Sequence, residues 1–368
     1  MTDIRIEKLA DLLVDYSTAV RPGDKVVITG EAIAEPLLKA IYKHVLRAGG
    51  HPTMMVDLPG FDEVFFRSAS VEQLQHVPEP FKLIMETYDV RIAIIAEENT
   101  KTLSGIDPAK ILLCNQARME TMQTFMRRSA AGEVRWTVAA FPTNARAQEA
   151  EMSLTEYEDF VYGACLPDME DPIGYWRRFS TWQQEIVEWL RDKEKVRIVG
   201  PGTDLRFSIV GRVFDNEDGH WNMPGGETGT GPVEDSVEGH IEFSYPSNYM
   251  GREVGGVALE FKRGQVVKAT ADKNEDSLLK ALDTDEGARH IGEFAIGTNE
   301  GIQRFTGNIL FDEKMQGTVH LALGAGFPWT GSQNQSAIHW DLICDLRNGG
   351  AIWVDDELLY ESGRFVYK

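Results

Sequence analysis

The sequence predicts an α/β fold in two parts: an N-terminal parallel-sheet α/β domain over residues 1–190, then a β-rich α+β C-terminal domain over residues 191–368. Three observations predict it. The first half alternates β-branched runs with amphipathic helical patterns, the rhythm of βαβ units. Glycine punctuates short strands in the second half. The chain has 368 residues, more than one compact domain usually holds.

Each element follows in turn. "MTDIRIEKLADLLVDYSTAV" is an amphipathic helix with charges throughout, without the apolar core of a signal peptide. "DKVVITG" is a buried strand, and "EPLLKAIYKHVLRAGG" is a helix ended by glycine. "HPTMMVDL" and "VRIAIIAEE" are strands, a helix runs from Pro108 to about Arg128, and "VRWTVAAFP" is a further strand. No G-x-G-x-x-G follows the first strand, so a dinucleotide is not implied. "SLTEYEDFVYGACL" and "YWRRFSTWQQEIVEWLRDKEK" are helical, the latter using Trp176, Trp182 and Trp189 as packing surface. Beyond "RIVGPGTDLRFSI" the pattern is short strands, with hairpins at "FKRGQVV" and "VDDELLYESGRF" and one helical stretch at "NEDSLLKALDTDEGARHIG".

Composition narrows the function classes. The net charge of −21 argues against nucleic acid or an anionic membrane as partner, since both demand a basic patch. Three sparse cysteines, Cys114, Cys165 and Cys344, with no C-x-x-C, make neither a disulfide framework nor a thiolate zinc site. No apolar run reaches about 18 residues, so no transmembrane helix is expected and a cytoplasmic protein is.

The chemistry points to the C-terminal half. His320 lies in "TVHLALG", apolar on both sides, where an imidazole must satisfy both ring nitrogens or stay neutral at a cost. His339 and Asp341 form an H-x-D pair, and residues i and i+2 of a strand share a face. A metal, or a buried Asp–His hydrogen bond without one, accounts for these three alone. Glu227, within the Gly- and Pro-dense "NMPGGETGTGPVEDSVEG", is a carboxylate on a rigid loop or part of a plain surface turn. Glu293 in "RHIGEFAIGTN" leads into an apolar strand, where a charge needs a partner or a role. Together Glu227, Glu293, His320, His339 and Asp341 are too carboxylate-rich for one structural zinc and suit two metals sharing a water nucleophile. With no basic cluster to hold phosphate, amide hydrolysis is the favoured chemistry. His220, His240 and His290 read as surface or cap residues.

The chain resembles the thermophilic-type metalloaminopeptidases, the aminopeptidase T and aminopeptidase S group of peptidase family M29. The likeness rests most on "NMPGGETGTGPVEDSVEG", "IGEFAIGTN", "NILFDEKMQGTVHLALG" and "SAIHWDLI". It implies removal of N-terminal residues from peptides, two divalent ions per chain (zinc, cobalt or manganese), and homodimers enclosing the active site. The family's ligands fall on the same five residues. Glu313 in "FDE" is a further acid, as ligand or supporting group, at a spacing from His320 that departs from the family's. Glu227 is the acid favoured as general base. The family carries tyrosine seven residues after the first histidine, where its hydroxyl serves the oxyanion; this chain has Phe327, which lines the pocket without a donor. The fold also resembles a ring-cleaving dihydroxypyridine dioxygenase, in which His320, His339 and Asp341 would hold a single Fe(II). A third alternative is a non-catalytic metal- or peptide-binding relative, which the change at Phe327 supports.

Overall fold

The computed structural model describes residues 3–366. They fold as two compact units. The described residues up to Trp176, with Gly219–Gly225, make the first; Arg177–Asp218, with the described residues from Gly226 onward, make the second.

The first unit is an α/β layer structure. Strands Lys25–Glu31, His51–Asp57, Val90–Ile95 and Arg135–Ala140 are parallel, with Lys25–Glu31 between the second and third. Val26, Val27 and Ile28 are consecutive and fully buried, as expected of a parallel strand. The helix Glu35–Arg47 follows, with Pro36 in its first turn and Leu37, Leu38, Ile41 and Val45 buried. Gly49, at φ 83°, turns the chain beyond it. The longest helix, Pro108–Ala130, starts where the Asp107 side chain accepts from the Ala109 amide. Three short helices, Phe61–Ser68, Val71–Gln75 and Glu79–Thr87, carry only one or two buried residues each, too few to mark a helical period.

The second unit is β-rich, as its glycine-punctuated sequence predicts. It holds an eight-stranded sheet, a two-stranded one and a five-stranded one. In the five-stranded sheet the order is His339–Asp345, Thr318–Gly324, Ile291–Gly297, Glu227–Thr230, Asp215–Glu217, and every pair is antiparallel. One face supplies Phe294, Ile296, Val319, Leu321, Leu323, Trp340, Leu342 and Cys344 to the hydrophobic core. Each such side chain stabilises the unit by about 1.5–3 kcal/mol on burial. The opposite face carries the functional candidates. His320 is 1% exposed, so its strand is covered on both faces, which explains the unbroken apolar pattern around it.

The Gly-rich segment is not one loop. Asn222–Met223 is a strand paired with Arg135–Ala140 in the first unit, and Glu227–Thr230 is a strand of the second. Glu227 is therefore presented by a sheet rather than by a loop. Likewise Glu293 lies within its strand rather than ahead of it. Glycine serves close packing here: a Cβ on Gly229 would lie 2.6 Å from the Ala295 Cβ, and one on Gly226 2.5 Å from the Asn299 Cβ.

Among the described residues no helix is long and apolar enough to cross a membrane. All three cysteines are free and buried.

Candidate metal centre

Sheet register puts the five sequence candidates on one face. Directly paired residues in an antiparallel sheet share a face, as do residues two apart on a strand. Asp341 pairs with Ala322, which pairs with Glu293. His320 pairs with Ala295, which pairs with Gly229. His339 lies opposite Gly324, and Glu227 opposite Gly297. The positions between the polar groups are thus alanine or glycine, and at Gly297 and Gly324 a neighbouring backbone carbonyl, of Met315 and Ile338, packs where a Cβ would lie.

The face divides into two groups of convergent ligand atoms, Glu227 with Glu313 and His320, and Glu293 with His339 and Asp341. His339 Nε2 lies 3.2 Å from Glu293 Oε2 and 3.5 Å from Asp341 Oδ1. His320 Nε2 lies 3.8 Å from Glu227 Oε2 and 4.0 Å from Asp341 Oδ1. Asp341 Oδ1 therefore stands between the two imidazoles and links the groups. Glu313, whose spacing left its part open, joins the first group twice over. Its carboxylate faces Glu227, and its carbonyl accepts from His320 Nδ1 at 3.2 Å.

That last contact sets a tautomer. A carbonyl only accepts, so His320 carries its proton on Nδ1 and presents Nε2 to the site. His339 does the same, donating Nδ1–H to the Ala325 carbonyl at 2.8 Å. The Glu227 and Asp341 oxygens facing these nitrogens, Oε2 and Oδ1, are buried and have no hydrogen-bond partner. Two unpaired carboxylate oxygens opposite two aimed imidazole nitrogens form a set of donor atoms for divalent cations.

The charge balance shows the same demand. Burial drives the Glu227 carboxyl up to about 7, against the pull of the Lys314 ammonium. Burial would lower His320, but Glu227, Glu293 and Asp341 outweigh it and raise it. His339 rises well above its ordinary value, where Asp341 and Glu293 overcome burial. Asp341 is held down at about 2, because His339 and His320 outweigh its desolvation.

Sequence reading misses Lys314. Its side chain is fully buried, Nζ lies 3.5 Å from Glu227 Oε1, and it is ion-paired to Glu313. Burial disfavours its charge, but Glu227, Glu313 and Glu217 raise it above the ordinary lysine value. The available signal was a lysine between Phe311 and Met315, both buried, on the approach to a buried strand. Trp329, a neighbour of Phe327, was also not foreseen. The Phe327 ring stacks on Trp329 at 4.7 Å and lies 5.0 Å from the His339 ring. The Trp329 indole N–H is taken up by Asp215, whose carboxyl burial raises to about 6.

Gly297 holds the Lys314 segment against the sheet: a Cβ there would lie 2.1 Å from the Met315 carbonyl oxygen and 3.0 Å from the Lys314 carbonyl carbon. Gly297→Ala is expected to destabilise the protein by about 1–3 kcal/mol, the range for overpacking a tight core. Urea unfolding of the variant beside wild type checks this; an unchanged midpoint would show that the segment yields freely.

Comparison with known proteins agrees with this architecture. "Wild-type AmpT" from Thermus thermophilus superposes with a TM-score of 0.86 at 24% identity, covering 99% of each chain. A 2,5-dihydroxypyridine dioxygenase from Pseudomonas putida shares the fold more loosely, with a TM-score of 0.62 at 13% identity, covering 99% of this chain and 97% of that one. Aminopeptidase 2 of Geobacillus stearothermophilus is 27% identical over 88% of this chain and 84% of its own. Aminopeptidase T of Thermus thermophilus is 25% identical over 97% and 95%. The family model of the thermophilic metalloproteases (M29) matches residues 2–365, and the chain belongs to that family.

Proposed function

We propose that this metalloprotease-family protein is an aminopeptidase, removing the N-terminal residue of peptides at a site holding two divalent ions. The observation that carries the proposal is the pair of Nε2 atoms, each with its tautomer set by a backbone carbonyl, facing the unpaired Glu227 Oε2 and Asp341 Oδ1. Glu227, Glu313 and His320 would hold one ion; Glu293, His339 and Asp341 the other. Ions bound there supply activation of a water and polarisation of the scissile carbonyl. Glu227 accepts the proton of the attacking water and delivers it to the leaving amine. Phe327 offers no donor to the oxyanion; its ring lies beside that of His339. Peptide substrates and a homodimeric, cytoplasmic protein complete the reading, on the likeness to aminopeptidases and the sparse, unpaired cysteines.

The dioxygenase reading is the weaker one. It asks for His320, His339 and Asp341 around one iron, yet each histidine stands in a separate group with its own glutamates.

The deciding experiment loads chelator-stripped protein with zinc, cobalt or manganese and follows aminoacyl-p-nitroanilide hydrolysis. Metal-dependent release of p-nitroaniline is expected. Protein that binds two ions per chain yet cleaves no aminoacyl substrate overturns the proposal. One iron per chain with oxygen uptake on a dihydroxypyridine would establish the alternative.

A further inference from the structure

We propose that the two halves of this site bind their ions unequally: the Glu293, His339 and Asp341 half takes the first ion tightly, while Lys314 makes the Glu227, Glu313 and His320 half a weak second site. The inference rests on the metal-dependent reading above and concerns what this chain's own lysine does to it.

The asymmetry is one of charge. With the histidines neutral, as ligands must be, the Glu293 half presents two carboxylates. The ion-pair partners of Glu293 and Asp341 among the described residues are histidines alone. The Glu227 half also presents two carboxylates, but Lys314 is paired to both. Counting the ligand carboxylates and their ion-pair partners, its net negative charge is half as large; the buried Glu217 acts on the same ammonium but is not among the convergent ligand atoms. An ion arriving on Glu227 Oε2 would meet an ammonium already 3.5 Å from the other oxygen of that carboxylate. At such separations, in a site shielded from water, the repulsion of a divalent ion by an ammonium is large.

Lys314 has little means of stepping aside. Its side chain has no exposure to solvent. Its carbonyl accepts from the Asn299 amide at 2.9 Å and its own amide donates to the Phe311 carbonyl at 3.0 Å. Met315 bridges to Asn299, and Gly297 packs beneath the same segment. The ammonium is a fixed internal cation rather than a mobile surface charge.

Stepwise titration of the stripped full-length protein with zinc, against a competing chromophoric chelator, tests this directly. Wild type is expected to take one equivalent tightly and a second at least about a hundredfold more weakly. Glu227→Gln should leave the first equivalent within about threefold of wild type, whereas Glu293→Gln should remove it. Lys314→Met should bring the second equivalent to within about tenfold of the first. Two equivalents of equal affinity in wild type, loss of the first in Glu227→Gln, or an unchanged gap in Lys314→Met would each overturn the inference. Should Lys314→Met fail to fold, the wild-type and Glu227→Gln titrations decide alone. The two readings fail separately. Equal equivalents with peptide cleavage sink only the asymmetry, and stepwise binding without cleavage sinks only the peptidase.

Discussion

Glu293→Gln is expected to lower kcat/KM for aminoacyl-p-nitroanilides by at least about a thousandfold while leaving the fold intact, the scale seen when part of a metal-based catalytic unit is removed. The substitution keeps the side chain's shape and removes its charge. Glu293 lies mid-strand between Asp341 and the Glu227 strand, and its Oε2, at 3.2 Å, is closer to His339 Nε2 than Asp341 Oδ1 is. An amide there is a neutral, poorer ligand, and it leaves Asp341 as the only carboxylate of that half. Circular dichroism and the unfolding midpoint check that structure survives; steady-state kinetics with metal in excess checks the loss. The same variant separates the mechanisms. A single-iron site built on His320, His339 and Asp341 would keep its metal in Glu293→Gln, so retained stoichiometry with full turnover would refute the aminopeptidase assignment of this residue.

Lys314→Met is expected to cost the ion-free protein about 3–5 kcal/mol, the penalty for leaving buried charges without their partner. Glu227 and Glu313 both lean on that ammonium, and little solvent reaches either. Methionine fills a similar volume, so the loss is electrostatic rather than a cavity. The deficit should shrink on adding zinc, because an ion that binds only the folded state stabilises it by mass action. Chemical unfolding with and without zinc measures both. A variant as stable as wild type without metal would mean that Glu227 and Glu313 protonate at little cost.

Much of this was legible before any fold was known. The βαβ rhythm of the first half needs only hydrophobic periodicity, and runs such as "KVVIT" and "RIAII" carry it on their own. The shared face of His339 and Asp341 follows from the two-residue repeat of a strand. Less legible was the Gly-rich segment around Glu227, which sits as a strand. Its glycines give the local signal of a turn, yet they are there because neighbouring Ala295 and Asn299 come too close for a Cβ. The three short helices between residues 61 and 87 left no period to read.

The sequence by itself determined the fold class, the chemical identity of the candidate ligands, and the absence of a donor at Phe327. These depend on side-chain chemistry and on periods of two to four residues, which are local. The tertiary structure alone decided how the candidates divide. Glu227, Glu293, His320 and His339 come from four strands, and which carboxylate faces which imidazole depends on register, including the irregularity between Ile291 and Glu293. It alone showed Glu313 turned toward Glu227 and His320, and Lys314 buried beside them. An isolated lysine in a sequence reads as surface, because burying an ammonium is costly. Only the carboxylates brought around it from distant strands offset that cost.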